Sequence, residues 1–164
     1  EYALILEDDV TLNDGLESLI SAAMAHRSEW NMLRLSTVNR GKWWPVASLS
    51  GQFNLSICLT REKGAGGYLV DRCAAVQMVK HLLPMRLAWD IAFDLEWIVG
   101  FKTLGVFPMP VSQQSHFETQ IQQDLYEIKI KGLLKYFTVI PFRTLLEVSR
   151  LIYRLARLLK LKMT

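Results

Sequence analysis

The pattern of apolar positions changes along the chain and predicts strands alternating with helices. Residues 2–6 form a short, uninterrupted apolar run, which is typical of a strand buried on both faces of a parallel sheet. Apolar residues then recur at helical spacing, and Asp14 with Glu17 gives a helix start of the capping-box type that continues to about Arg27. Residues 32–35 predict a second strand. This order favours an α/β sheet.

The middle of the chain predicts further elements around glycine-rich and proline-rich breaks. Residues 36–54 lack periodicity and favour a long loop, of the kind that covers a site. Residues 55–60, 68–70 and 103–107 predict strands, and residues 64–67 a glycine-rich turn. Asp71 is the predicted N-cap of a helix that ends at Pro84, and residues 89–99 are predicted to form another helix. Together these elements predict a sheet with flanking helices.

The C-terminal segment, residues 142–162, predicts a basic amphipathic helix. One stripe is apolar and the opposite face is rich in arginine; the members are Leu145, Val148, Ile152, Leu155 and Leu159 against Arg143, Arg150, Arg154 and Arg157. Two interpretations stay open: a helix packed on the domain, or one whose arginine face binds an anionic membrane surface or a partner. Nucleic acid is not favoured, because no reader motif accompanies the charge.

Composition and charge agree with this division. The 164 residues are 51% hydrophobic, enough for one domain with a substantial core, and no apolar run is long enough to span a membrane. Residues 1–120 carry 10 basic and 13 acidic side chains, and residues 121–164 carry 9 and 3, which sums to the net charge of +3. We therefore expect a domain over residues 1–120 and a basic tail over residues 121–164. Cys58 and Cys73 match no zinc pattern and are expected to be buried free thiols in a reducing compartment.

Three consecutive carboxylates, Glu7, Asp8 and Asp9, follow the first predicted strand. Ligands of open α/β sheets bind beyond the carboxyl ends of strands. Adjacent carboxylates repel one another and raise each other's pKa unless a cation lies among them. Oxygen ligands of this kind suit Mg²⁺ or Mn²⁺. The alternative is a solvated loop in which Asp9 caps a turn.

A second group of candidates lies in the later elements. Asp90 and Asp94 are four residues apart among aromatic side chains, so partial desolvation would raise a pKa and suit either one as a general base; exposed helix charges are the alternative. His116, in a polar loop, is either a third metal ligand or a surface histidine. Gly64, Gly66 and Gly67 do not have dinucleotide-fingerprint spacing, but they permit close approach and positive φ at a turn that lines a substrate.

Three segments together resemble glycosyltransferase family 25, which includes bacterial lipooligosaccharide and lipopolysaccharide galactosyltransferases. Residues 4–10, Leu-Ile-Leu-Glu-Asp-Asp-Val, resemble the acidic motif of that family. Residues 66–70, Gly-Gly-Tyr-Leu-Val, with two alanines at 74 and 75, resemble a second segment. The stretch from Leu83-Pro84 to Asp90, followed by residues 105–108 and by Val111 and Gln113, resembles a third.

The resemblance implies a GT-A-like fold with a partial Rossmann-type sheet. It also implies metal-dependent, inverting transfer of a hexose, often galactose, from a UDP-sugar to a lipooligosaccharide, lipopolysaccharide or related saccharide acceptor. By the same resemblance, Asp9 with Glu7 would hold Mn²⁺ or Mg²⁺, and Asp90 would be the base with Asp94 in reserve. The donor would be bound by Glu7, Asp8, Gly66, Gly67 and Tyr68.

We therefore expect a bacterial transferase that is cytoplasmic and peripheral on the inner face of the cytoplasmic membrane, held there by its basic helix. Asp90 is not directly preceded by proline as it often is in the family. The nucleotide-binding stretch that precedes the acidic strand in the family is absent, so we expect the C-terminal part of a transferase that binds donor poorly alone. The alternatives are a non-catalytic, membrane-associated interaction module derived from such an enzyme, and a metal-dependent phosphoryl- or nucleotidyl-transfer enzyme.

Overall fold

The computed structural model describes residues 1–113 and 134–163, with residues 134 and 135 described by their backbone. The described chain contains eight strands and six helices in mixed order. The strands are β1 (Tyr2–Leu6), β2 (Val10–Leu12), β3 (Met32–Arg34), β4 (Trp43–Ser50), β5 (Phe53–Cys58), β6 (Gly67–Asp71), β7 (Thr103–Phe107) and β8 (Val111–Gln113). The helices are α1 (Leu16–Met24), α2 (Arg72–Leu82), α3 (Trp89–Phe93), α4 (Glu96–Val99), α5 (Leu134–Phe137) and α6 (Val139–Met163).

Six of the strands form one sheet in the order β1-β6-β3-β7-β5-β4, and β2 pairs with β8 in a second, two-stranded sheet. The expectation of an α/β fold with flanking helices and a C-terminal helix is confirmed. The expectation of a parallel sheet is wrong, because β3 and β7 are the only pair that runs in parallel among the strands of residues 1–113 and 134–163. The pattern of apolar residues in the sequence identifies strands. Whether two neighbouring strands run parallel or antiparallel depends on how elements far apart in the chain are connected.

Strand β1 exists as predicted, but it is not buried on both faces. It pairs antiparallel with β6 at the edge of the sheet, and all five of its residues are exposed within the structure. A continuous apolar run indicates that a strand is suited to burial on both faces, but it does not show that other elements cover both faces. The described chain supplies β1 with a neighbour on one edge only.

The prediction of a loop over residues 36–54 is wrong for residues 43–50 and 53–54, which belong to strands β4 and β5 of one hairpin. Bulges interrupt their register between Pro45 and Ala47 and again between Ser48 and Ser50. Each bulge adds a residue to one strand and reverses which side chains face inward. The alternation that identifies a strand is therefore lost from the sequence of β4.

Helix boundaries differ from the predictions where local geometry decides them. The first residue before α1 is Gly15, with φ of 85°, and no side chain caps that helix, so the capping box expected at Asp14 is absent. The Asp71 cap is confirmed, since its carboxylate accepts a hydrogen bond of 2.7 Å from the Ala74 amide. The single helix expected over residues 89–99 is two short helices, α3 and α4, separated at Asp94 and Leu95.

The core lies on both sides of the sheet. Adjacent residues of β3 divide between the two sides, with Leu33 packed in a cluster that includes Leu158 of α6, and Met32 in a cluster with α2, α3 and α4. This division follows from the alternation of side chains along a strand. Cys58 is buried as expected, whereas Cys73 is exposed. Among the described residues, no helix is both long and apolar enough to cross a membrane.

Candidate functional site

The candidate site lies where four chain segments meet at one edge of the sheet. Strands β1, β3 and β7 run in the same direction, and the amino end of β6 lies among their carboxyl ends. The Glu7 amide donates to the Gly66 carbonyl at 3.0 Å, and the Leu35 amide donates to the Gly67 carbonyl at the same distance. The Val111 amide donates to the Leu35 carbonyl at 3.0 Å. The segment after β1 is thus fixed beside the glycine turn.

Gln113 connects the two carboxylates that were expected to hold a metal. Its side-chain nitrogen donates to Asp9 Oδ2 at 2.8 Å and lies 3.4 Å from Glu7 Oε2. The β2–β8 pairing brings Gln113 there, since Val10 and Gln113 are register partners. Glu7 and Asp9 therefore converge on one point even though Asp8 lies between them in the chain.

The site has an excess of negative charge. Partial burial raises the pKa of Glu7, and the charges of Asp9, Asp8 and Asp90 raise it further, in that order. Asp9 Oδ1 is buried and has no hydrogen-bond partner in the described part of the chain. Asp8 is exposed and contributes its charge. A cation bound among these oxygens would relieve both the repulsion and the unsatisfied oxygen.

The donor set fits a hard divalent cation. Mg²⁺ is commonly bound by one or two protein carboxylates together with waters and substrate phosphates. Glu7 and Asp9 supply that number. Over residues 1–113 and 134–163, no three His, Cys, Asp or Glu side chains form a metal-binding group. His116, the third ligand expected from the sequence, lies outside the described residues.

Asp90 belongs to this site. It is half-buried at the start of α3, and its two oxygens accept from the Ile91 amide at 2.9 Å and the Gly64 amide at 3.4 Å. Its charge contributes to the raised pKa of Glu7. Gly64 is the one glycine of the predicted turn with a positive φ, at 95°. The turn thus places Asp90 beside the acidic segment.

Gly66 and Gly67 are required for close packing rather than for positive φ. A Cβ atom on Gly66 would lie 3.2 Å from Ser36 Oγ and 3.5 Å from Glu7 Oε2. One on Gly67 would lie 3.1 Å from a methyl carbon of Val111. Gly66 therefore allows the backbone to approach the Glu7 carboxylate.

Tyr68 supports the site from within the core. It is buried, its hydroxyl accepts a hydrogen bond of 3.3 Å from the Trp89 indole, and its ring meets Phe93 edge-on at 4.6 Å. Trp89 directly precedes Asp90, so these contacts fix the position of the Asp90 backbone. A direct contact of Tyr68 with a donor stays a prediction.

Asp94 does not belong to the site, and its expected role as a reserve base is wrong. Its side chain is buried, and its oxygens form 2.9 Å ion pairs with Arg150 and Arg154. The Glu62 amide also donates to it, at 3.3 Å. Burial raises the pKa of Asp94, while Arg154 and Arg150 lower it. A carboxylate held between two guanidinium groups has no open side from which to accept a substrate proton.

The arginine face of α6 points into the protein, so the expectation that it binds a membrane surface is wrong for three of its four members. Arg150 and Arg154 are each 3% exposed. Arg157 is half-buried and donates to the backbone carbonyls of Thr103 at 2.9 Å and Glu29 at 2.8 Å. Arg143 alone among the four is exposed. Buried carboxylates and backbone carbonyls of the domain bind the arginine side chains that were expected, from the sequence, to contact lipid.

Two residues of the site had no role in the sequence analysis. Gln113 bridges the carboxylates, and Ser36 accepts from the Gly67 amide at 2.7 Å, which fixes the glycine turn to the end of β3. Gln113 stands in the third segment that resembles glycosyltransferase family 25, and this resemblance was the signal available for it. In comparisons with known proteins, no family model matches the sequence, and no curated protein shows significant similarity to it.

Proposed function

We propose that this chain carries the metal and donor site of a GT-A-like glycosyltransferase that moves a hexose from a UDP-sugar to a saccharide acceptor. The observation that supports this most is the convergence of Glu7 and Asp9 on Gln113, with Asp9 Oδ1 buried and unsatisfied in the described structure. The resemblance of three sequence segments to glycosyltransferase family 25 favours a sugar nucleotide as the donor. By that resemblance, the hexose is galactose and the acceptor is lipooligosaccharide, lipopolysaccharide or a related saccharide.

The acidic segment holds the donor. Glu7 and Asp9 would hold Mn²⁺ or Mg²⁺, and the absence of a side chain at Gly66 lets that backbone lie close to the Glu7 carboxylate. Gln113 keeps both carboxylates oriented toward one point. When bound there, a divalent metal would supply positive charge to offset the negative charge that develops on the leaving diphosphate. Asp8 is exposed and would face solvent or the donor ribose.

Asp90 acts as the base. Its carboxylate takes the proton of the acceptor hydroxyl while that oxygen attacks the anomeric carbon. The bond between that carbon and the diphosphate oxygen breaks, UDP leaves with the electron pair, and the anomeric configuration inverts. The hydrogen bonds from the Ile91 and Gly64 amides hold the carboxylate in place. Asp94 takes no part, because it is paired with two arginines.

The test is the dependence of UDP binding on Mn²⁺, measured by calorimetry on the full-length protein. Asp9→Asn removes the charge while retaining the shape, and it is expected to weaken Mn²⁺-dependent UDP binding by at least about tenfold, since a metal ligand is lost. Asp14→Asn is the matched control, because Asp14 is exposed and outside the site. Equal affinities of the two variants would refute the proposed site.

Product formation separates the remaining functions. A transferase consumes UDP-hexose only when a saccharide acceptor is present, and Asp90→Asn abolishes turnover while retaining UDP binding. Consumption that does not depend on a saccharide indicates phosphoryl or nucleotidyl transfer instead. Absence of Mn²⁺-dependent UDP binding by the full-length protein indicates a non-catalytic module.

A further inference from the structure

A cavity of about 520 Å³ lies between the start of α6 and the helices α3 and α4. We call it the apolar cavity, because most of the residues around it are apolar; among them are Leu87, Ile91, Leu95, Ile98 and Phe142. Cavities that bind a single small molecule commonly have volumes of about 300–1,000 Å³ and mainly apolar walls. The apolar cavity therefore has the size and the lining of a binding site for one small molecule.

The walls of the apolar cavity are accessible to solvent. Leu87, Ile98 and Phe142 are exposed by 48%, 61% and 62%. Single exposed apolar side chains are common on protein surfaces, but these three surround one concave space. A hydrocarbon group bound there would remove apolar surface of the protein and of the ligand from water, which is favourable.

A second cavity, of about 370 Å³, adjoins the first at the end of α2. Leu87 and Leu95 line both cavities. We call the second one the basic cavity, because Lys80, His81 and Arg86 are among its lining residues. A molecule that extends past Leu87 and Leu95 would therefore contact an apolar wall at one end and cationic side chains at the other.

The two cavities together have an excess of positive charge. Four of their lining residues carry a charged group with no partner in the described part of the chain; they are Arg61, Lys80, Arg86 and Arg143. Glu147 is the one acidic side chain among the described residues that line either cavity, and it pairs with Arg150. Arg150 also pairs with the buried Asp94. The complementary ligand is therefore an anion.

The cations of the basic cavity favour a phosphate group as the anion. Lys80 and His81 lie in the last turn of α2, where a positive charge also offsets the helix dipole. Arg86 lies beyond the end of that helix, so the dipole does not account for it. A phosphate monoester carries a charge of about −1.5 to −2 near neutral pH and has three acceptor oxygens. It can therefore bind several cationic donors at once, which a single carboxylate does less well.

We propose that these two cavities bind a single-chain amphipathic phosphate, with its hydrocarbon chain in the apolar cavity and its phosphate group at the basic cavity. The volume of the apolar cavity suits one chain of a monomeric molecule taken up from solution. This site goes beyond the proposed transferase function and does not depend on it, because Glu7, Asp9 and Asp90 line neither cavity.

The test is calorimetric titration of the full chain with dodecyl phosphate, kept below its critical micelle concentration. Leu87→Glu places a charge in the wall that the two cavities share and is expected to lower the affinity by about tenfold or more. Leu155→Glu is the matched control, because Leu155 is also exposed, at 40%, and lines neither cavity. Circular dichroism verifies that both variants fold.

A second pair of variants tests the position of the phosphate group. Arg86→Gln is expected to lower the affinity for dodecyl phosphate by about fivefold, with little effect on dodecylphosphocholine, whose headgroup has no net charge. Arg27→Gln is the control, because Arg27 is exposed and lies outside both cavities. Binding of dodecyl phosphate is expected to be unchanged by Asp9→Asn and by omission of Mn²⁺, which separates this site from the acidic one.

Other outcomes would overturn the proposal. They are failure of the unmodified chain to bind dodecyl phosphate, equal affinities of the Leu87→Glu and Leu155→Glu variants, or equal effects of Arg86→Gln on the two amphiphiles. Co-sedimentation with phosphatidic acid vesicles that Leu87→Glu abolishes, without binding of the monomer, would assign the cavities to a bilayer. A dimer abolished by Leu87→Glu in sedimentation velocity, without binding of the monomer, would assign them to a second copy. UDP titration of the Leu87→Glu variant is expected to match the unmodified chain, so failure here is distinguishable from failure of the transferase site.

Discussion

Replacing Arg154 with alanine tests the orientation of α6 most directly. The guanidinium group is buried and makes four hydrogen bonds to the domain. They join it to Glu96 at 2.7 and 3.0 Å, to Asp94 at 2.9 Å and to the Thr60 carbonyl at 2.8 Å. Burial alone would lower the pKa of Arg154, but Glu96 and Asp94 raise it above its usual value. The arginine is therefore charged and fully paired in the folded state.

The expected cost follows from what the substitution leaves behind. Removing one partner of a buried ion pair destabilises a protein by about 3–5 kcal/mol, because the other charge remains buried. Glu96 would lose both of its hydrogen bonds to Arg154, while Asp94 would retain its ion pair with Arg150. We therefore expect Arg154→Ala to lower the free energy of unfolding by about 4 kcal/mol at pH 7. The deficit should shrink as the pH falls, because the unpaired carboxylates then take up protons.

Urea unfolding followed by circular dichroism measures this cost. Arg143→Ala is the control on the same helix, since Arg143 is exposed and its guanidinium has no partner in the described structure; its expected effect is within about 0.5 kcal/mol. If the arginine face pointed outward, the two substitutions would have similar small effects. A cost below about 1 kcal/mol for Arg154→Ala would thus refute the inward orientation.

Three further predictions concern the buried network, a helix cap and the candidate site. Burial raises the pKa of Glu62 from 4.5 to about 7, so the folded state binds a proton more tightly than the unfolded state between these values. Stability should therefore fall as the pH rises through that window, and Glu62→Gln should flatten the slope, measured by urea unfolding at a series of pH values. An unchanged slope would contradict this. Asp71→Ala removes the 2.7 Å cap on the Ala74 amide and should cost about 1–2 kcal/mol in the same assay; a cost near zero would mean that the cap is not formed. Gln113→Ala removes the donor that orients Asp9 and should weaken Mn²⁺-dependent UDP binding several-fold without lowering the melting temperature, whereas unchanged affinity would exclude Gln113 from the site.

The sequence determined where much of the secondary structure lies. The helix that begins after Asp71 follows from a cap and its apolar spacing, and β3 and β7 follow from short apolar runs. These signals are local, because they depend on neighbours within a few residues. Strand β4 escaped detection for the same reason, since two bulges alter its local alternation.

The candidate site was predictable only in part. The sequence indicated Glu7 and Asp9 as candidates because they follow a predicted strand. The family resemblance indicated Asp90. Their arrangement depends on Gln113, which is 104 positions from Asp9 in the chain and reaches it through the pairing of β2 with β8. Neither three-residue strand has a sequence pattern of its own, so the sequence could not predict this contact.

The direction in which α6 faces was decided by the tertiary structure alone. The sequence of the helix determines that one side is apolar and the other basic. It does not determine which side meets the protein. A helix can be stabilised by packing its apolar side on the core or by pairing its basic side with buried carboxylates. Arg154 finds Asp94 and Glu96 at separations of 60 and 58 residues. Once those charges are buried together, their pairing fixes the helix and leaves its apolar side outward.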